Sequence, residues 1–221
     1  MCLLKITENL TALFQEKKNA KLLNDDFSLR IHRSLSWLRK AAETEDLDTK
    51  FIYLWIAFNA AYARELNNMG TKDRVVFNEF LLRICAHDEA QKIYHLIWAK
   101  FTGSIRLLTS NKYVFQPFWD FHNQKISEEE YGKARNKDRE KLLLSFKTKN
   151  TERLLSVLFE RLYTLRNQIL HGGATFNSRV NRDQIRDSND ILTSLIPTML
   201  EIMLRNHNAI DWGKPFYPVV N

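Results

Sequence analysis

The chain has 221 residues, 44% of them hydrophobic, a formal net charge of +7 and a pI near 9.4. That apolar content can build a proper core and excludes a disordered chain, while six glycines and four prolines give too little turn chemistry for many strands, so an all-α fold is expected. The positive charge favours an acidic partner, RNA foremost, although a basic solvated surface has the same composition.

In chain order, the first twenty or so residues form a modestly amphipathic helix ending in Lys17, Lys18 and Lys21, followed by a break at Asn24, Asp25 and Asp26. A second helix is predicted from about Ser28 to Glu43 and a third from about Leu47 to Leu66. In the third, Phe51, Leu54, Trp55, Phe58 and Tyr62 recur at steps of three and four, the spacing of a buried stripe. Asn59 interrupts it, and a buried amide there needs a partner. It either ties helices together or reaches a functional cleft.

Helices over about Lys72 to Cys85 and Asp88 to Thr109 follow, the second with the capping-box pattern Asp88 and Gln91. Tyr113, Phe115, Phe118, Trp119 and Phe121 then gather around Pro117. Burial is the simplest fate for them; stacking on bases or docking a partner are the alternatives. Ser127 to Glu130 caps a helix rich in Lys and Arg, whose charge run reads as a solvated face. The next helix begins near Asn150 or Thr151 and turns Leu155, Leu158, Phe159, Leu162, Leu165 and Ile169 inward. A last helix, about Asp183 to Arg205, contains Pro197, which should kink it. The tail from Trp212 to Val219 is expected to pack back on the bundle.

The helix that begins near Asn150 ends in Arg166, Asn167, Gln168, Ile169, Leu170 and His171, closed by Gly172 and Gly173. The glycine pair is a stop signal, so His171 falls in the last turn. Five residues rotate a helical side chain by about 140° and lift it about 7.5 Å, placing Arg166 and His171 on adjacent flanks. Asn167, four before His171, shares its face. A guanidinium offers a planar fork of donors matched to phosphate oxygens, and an imidazole can give or take a proton near neutral pH. The pair suits attack of a ribose 2′-hydroxyl on its neighbouring phosphate, with Arg166 stabilising the developing charge. Arginine and histidine at a helix end are also common as capping and ion-pairing residues. Asn177, Arg179, Arg182 and Arg186 follow in a polar stretch, a candidate for RNA-backbone contacts or a plain connector.

Arg166, Asn167 and His171 in this spacing resemble the ribonuclease motif of the HEPN superfamily. The stretches Asp46 to Tyr62 and Arg30 to Arg39 look similar to early helices of bacterial HEPN proteins. The resemblance covers about residues 27–65 and 150–205. It implies one domain over 1–221, an antiparallel up-and-down helical bundle with a family-variable helical insertion over about 70–148. It further implies a homodimer whose two motifs share one composite active site. The activity implied is metal-independent endoribonuclease cleavage leaving a 2′,3′-cyclic phosphate and a 5′-hydroxyl, in a toxin or antiviral defence effector. A nucleotidyltransferase-type antitoxin is the implied partner. Catalytically silent members look like modules that bind nucleotide or RNA or dock proteins, and that is the alternative.

Cys2 and Cys85 are too few for a disulfide framework, and with no secretory signal opening the chain a reducing cytoplasm is expected. The most apolar stretch, 51 to 63, falls short of the roughly 20 residues of a spanning helix. Cys85, His87 and His95 lack a fourth ligand at recognisable spacing, so no metal and no cofactor is expected. No Gly-rich phosphate loop is present.

Overall fold

The computed structural model describes residues 2–63, 73–215 and 217. Among these, every regular element is helical. The fold is an all-α helical bundle, as composition and periodicity predict. It divides into two compact units, residues 1–93 with 188–221, and residues 94–187.

The first unit is built from α1 (Leu3–Asn19), α2 (Asp25–Ala42), α3 (Leu47–Tyr62), α4 (Asp73–Ala86) and most of α10 (Arg182–Arg205). The second helix starts three residues before the expected Ser28. Asn24 is not part of a break but the N-cap, its Oδ1 accepting from the Phe27 N–H at 2.8 Å, and Asp25 and Asp26 sit in the first turn, where the helix dipole favours anions. The aromatic stripe of α3 is buried as predicted, with Phe51, Leu54 and Phe58 at 0% exposure. α3 stops at Tyr62, because Ala63 is extended; the rest of its predicted range, to Leu66, lies outside the described residues. Two buried polar groups join α2 to α3. Arg30, 1% exposed, donates to the carbonyls of Ala61 and Ala63, and Ser34 donates to that of Ala57 at 2.7 Å. The tail packs back through Gly213, as expected: Trp212 is buried against Phe27 and Phe80, and Arg30 also donates to the Gly213 carbonyl.

One predicted helix is broken into pieces. In place of a continuous run from Asp88 to Thr109 the chain forms α5 (Lys92–His95), a π-helical turn over Leu96–Lys100 and α6 (Thr102–Ser110). Asp88 does cap, its carboxylate accepting from the Lys92 and Ile93 N–H groups, but Gln91 takes a left-handed φ of 51° and lies outside the helix, so the expected capping box does not close. At the π turn Thr102 Oγ1 donates to the carbonyls of Ile97 and Trp98, while the Trp98 indole donates to Thr151 Oγ1 at 2.9 Å. Tertiary contacts of this kind are invisible to local periodicity.

The second unit continues with a 3₁₀ turn over Lys112–Val114, α7 (Gln116–His122), α8 (Glu128–Thr148) and α9 (Thr151–Leu170). Ser127 and Glu130 form a full capping box at the start of α8. The Ser127 N–H and hydroxyl both bond the Glu130 carboxylate, which holds it below the ordinary carboxylate value. α8 is fastened to α9 by Arg161, 2% exposed, whose Nη2 pairs with Asp138 Oδ2 at 2.5 Å and whose guanidinium lies 4.5 Å from the Phe115 ring centre.

Candidate functional site

α9 places the motif. Asn150 caps its start, Oδ1 accepting from the Arg153 N–H at 2.7 Å, and Leu155, Leu158, Phe159, Leu162 and Leu165 are all at 0% exposure. Ile169, expected inward, is half-buried. One side of the helix is thus fixed by packing, and its C-terminal end carries Arg166 and Asn167, both half-buried, and His171, exposed. The helix ends where the glycines predict. His171 is the C-cap residue, its N–H donating to the Asn167 carbonyl at 3.0 Å. Gly172 follows in the left-handed region at φ 69° and returns its N–H to Ile169. At Gly173 a Cβ would stand 3.1 Å from the Gln168 carbonyl oxygen. The two glycines therefore do different things: one supplies the conformation, the other the close approach.

Arg166 and Asn167 are brought together. Nη1 of the half-buried Arg166 donates to Asn167 Oδ1 at 2.8 Å, and the guanidinium carbon lies 5.8 Å from the Tyr163 ring centre. Among the described residues no carboxylate pairs with Arg166, and its buried Nε has no hydrogen-bond partner. A guanidinium oriented by an amide and an aromatic ring, but not neutralised by an acid, can accept an oxyanion. His171 is exposed, and no described residue hydrogen-bonds its ring. The motif thus holds a positioned cation and a solvent-reached imidazole within one helix end.

The candidate RNA-binding residues lie on the segment after the motif. Arg179 and Asn177 are exposed, Asn177 with a left-handed φ of 55°. Arg182 is half-buried at the start of α10 and donates from Nε to the Ser178 carbonyl at 3.3 Å; Arg186 pairs with Asp183. Phe176 and Val180 in this segment are 74% and 76% exposed, and Leu170 on the last turn of α9 is 45% exposed.

Sequence reasoning passed over Gln168, although it lies inside the motif string. Its Nε2 donates to the Tyr113 carbonyl at 2.6 Å, and among the described residues its buried Oε1 has no hydrogen-bond partner. That bond links the motif helix to the aromatic segment across 55 positions of chain. The aromatics there are not uniformly buried, as the simplest reading had them: Phe118 is at 9%, Phe115, Trp119 and Phe121 are half-buried, and Tyr113 is 44% exposed.

Asn59 belongs to the first unit. Among the described residues its Oδ1 is buried without a hydrogen-bond partner and ties no helices together; it lines a groove of about 580 Å³ with Arg30, Arg33, Trp37 and Ile56. Among the described residues no group of three His, Cys, Asp or Glu side chains is placed to hold a metal, and no helix is long and apolar enough to cross a membrane. His87 Nδ1 is 2.9 Å from the Arg83 carbonyl, and His95 lies edge-on to Tyr94. Compared with models of known families, with curated proteins and with solved structures, the chain matches none.

Proposed function

We propose that the protein is an endoribonuclease of HEPN type that cleaves RNA without a metal, Arg166 holding the phosphate, Asn167 orienting the guanidinium and His171 moving the proton. The observation that carries this is the Arg166–Asn167 hydrogen bond of 2.8 Å at the end of a helix anchored by buried leucines, with no carboxylate among the described residues on the guanidinium and His171 five residues further on. In the reaction the ribose 2′-oxygen forms a bond to phosphorus as the bond to the 5′-oxygen breaks. One proton leaves the 2′-hydroxyl and one is delivered to the departing 5′-oxygen, leaving a 2′,3′-cyclic phosphate and a 5′-hydroxyl. Arg166 would neutralise charge gathering on the non-bridging oxygens. The expected homodimer with a composite site is supported by the exposed Leu170, Phe176 and Val180, apolar surface flanking the motif. Antitoxin pairing with a nucleotidyltransferase and a role in defence belong to the same reading.

A silent binding module is the second reading, favoured by one observation: the His171 ring has no orienting hydrogen bond in the single chain. The two separate on incubation of wild type and His171→Ala with total RNA in excess chelator, followed by mapping of fragment ends. Cyclic-phosphate ends from the wild type alone are expected. Cleavage retained by His171→Ala, or no cleavage by a folded, dimeric wild type, would overturn the enzyme.

A further inference from the structure

Three segments of the first unit line the groove of about 580 Å³ that holds Asn59, and Arg30 fastens them to one another. Its guanidinium, 1% exposed, reaches from α2 to the carbonyls of Ala61 and Ala63 at the end of α3 and to that of Gly213 in the tail. The walls follow from helical spacing. Arg33 and Trp37 stand three and seven residues after Arg30 on one face of α2, and Ile56, Asn59 and Ala60 share one face of α3. Pro215 adds a buried apolar surface from the tail. Trp37 is 37% exposed, and Tyr53 supports its ring with the centroids 5.5 Å apart.

The charged and amide groups of this groove meet a ligand as donors. Arg33 is half-buried, no carboxylate among the described residues pairs with it, and no Asp or Glu lines the groove. Asn59 lines it with Oδ1 buried, so the end of the amide that a ligand can reach is Nδ2, a second donor. An unsatisfied amide oxygen in an apolar helix costs stability, and such departures from good packing gather at functional sites. Donors without an acid, set among apolar walls in a groove of small-molecule size, fit an anion with an apolar body. A guanidinium fork matches the two oxygens of a carboxylate, and an indole offers its face to a flat ring. We propose that the groove is a binding site for a small aromatic carboxylate, its carboxyl group meeting Arg33 and Asn59 and its ring packing on Trp37. None of these residues is among those assigned to RNA cleavage, so the site stands whether or not the chain is a ribonuclease.

The test is calorimetric titration of the full chain with 2-naphthoate, with its neutral isostere 2-naphthamide, with acetate and with adenosine monophosphate. Wild type is compared with Arg33→Gln, Asn59→Leu and, as a control for diffuse attraction, Arg39→Gln, an exposed arginine of α2 outside the groove. Wild type is expected to bind 2-naphthoate saturably at a single site per chain and more tightly than the other three probes. Arg33→Gln is expected to weaken 2-naphthoate about tenfold and leave 2-naphthamide unchanged, while Arg39→Gln changes neither. Asn59→Leu should weaken 2-naphthoate and yet raise the thermal midpoint, because it removes the buried, unbonded amide oxygen; a purely structural amide would move the midpoint alone. No saturable binding by folded wild type overturns the site, as does equal affinity for 2-naphthamide or tighter binding of adenosine monophosphate, and these comparisons need no variant. Wild-type affinity in a folded Arg33→Gln, or an equal loss in Arg39→Gln, overturns it as well.

Discussion

Of the five N–H donors on the Arg166 guanidinium, one is engaged by Asn167 and the buried Nε by nothing among the described residues. Lysine would keep the charge at this position but not the planar fork that bonds the amide and, in the proposed ribonuclease, would meet two phosphate oxygens. Arg166→Lys is therefore expected to lower cleavage about a hundredfold while leaving the thermal midpoint nearly unchanged, read from cyclic-phosphate ends alongside melting. A different residue contributes to behaviour toward acid. Burial, then the Lys17 ammonium, holds the His207 imidazole below its ordinary 6.5, and among the described residues its buried Nε2 has no hydrogen-bond partner. Above 6.5 the ring is neutral in both folded and unfolded chain and costs nothing. Between 6.5 and the lower folded value the unfolded chain takes up a proton that the folded chain does not, so stability falls as pH falls through that window. Denaturant midpoints at about pH 7.5 and pH 5.5 should show a smaller drop for His207→Gln than for wild type. Glu201 is lowered too, by a different balance: burial pushes its carboxyl up, but the hydrogen bonds and charges of Lys92 and Arg205 outweigh that and leave it below the usual value.

At the scale of elements, α9 is set by contacts that reach well beyond its own periodicity. Arg161 lies on its buried face, paired with Asp138 of α8 and donating to the Thr109 carbonyl at 3.4 Å. Removing the acid strands a guanidinium that is 2% exposed, so Asp138→Ala should destabilise the chain by about 3 kcal/mol, measured by denaturant unfolding. The loss of an ordinary exposed pair, such as Lys133 with Glu129, is worth far less, since water screens it. Within about 70–148, the stretch the family resemblance implies to be a variable helical insertion, the helices over 94–148 supply α9 with Asp138, Thr109, Tyr113 and the Trp98 indole.

For the molecule as a whole, the exposed Phe176 and Val180 beside the motif, at 74% and 76%, are the apolar surface on which the proposed dimer would rest. Light scattering is expected to show a dimer for wild type and a monomer for the pair Phe176→Asp with Val180→Asp, and cleavage should disappear with the dimer. A variant that is monomeric yet fully active would show that a single motif suffices.

The sequence alone determined what depends on near neighbours. Helical periodicity set the all-α class, the stripe from Phe51 to Tyr62 and the inward side of α9, because burial at steps of three and four is written in the order of residues. Caps at Ser127 and Asn150 and the stop at Gly172 were legible for the same reason, since each bond spans only a few positions. The order of residues also places Arg166, Asn167 and His171 on one helix end. What could not be read were the pairs distant in chain: Gln168 with Tyr113 across 55 positions and Arg161 with Thr109 across 52. The break of the Asp88 to Thr109 helix at Gln91 and Leu96, and the unpartnered Asn59 amide in its groove, were likewise decided by packing. Local propensity fixes where a helix starts, stops and hides its apolar side. Which polar groups meet across that packing depends on the relative placement of helices, and only the folded chain sets it.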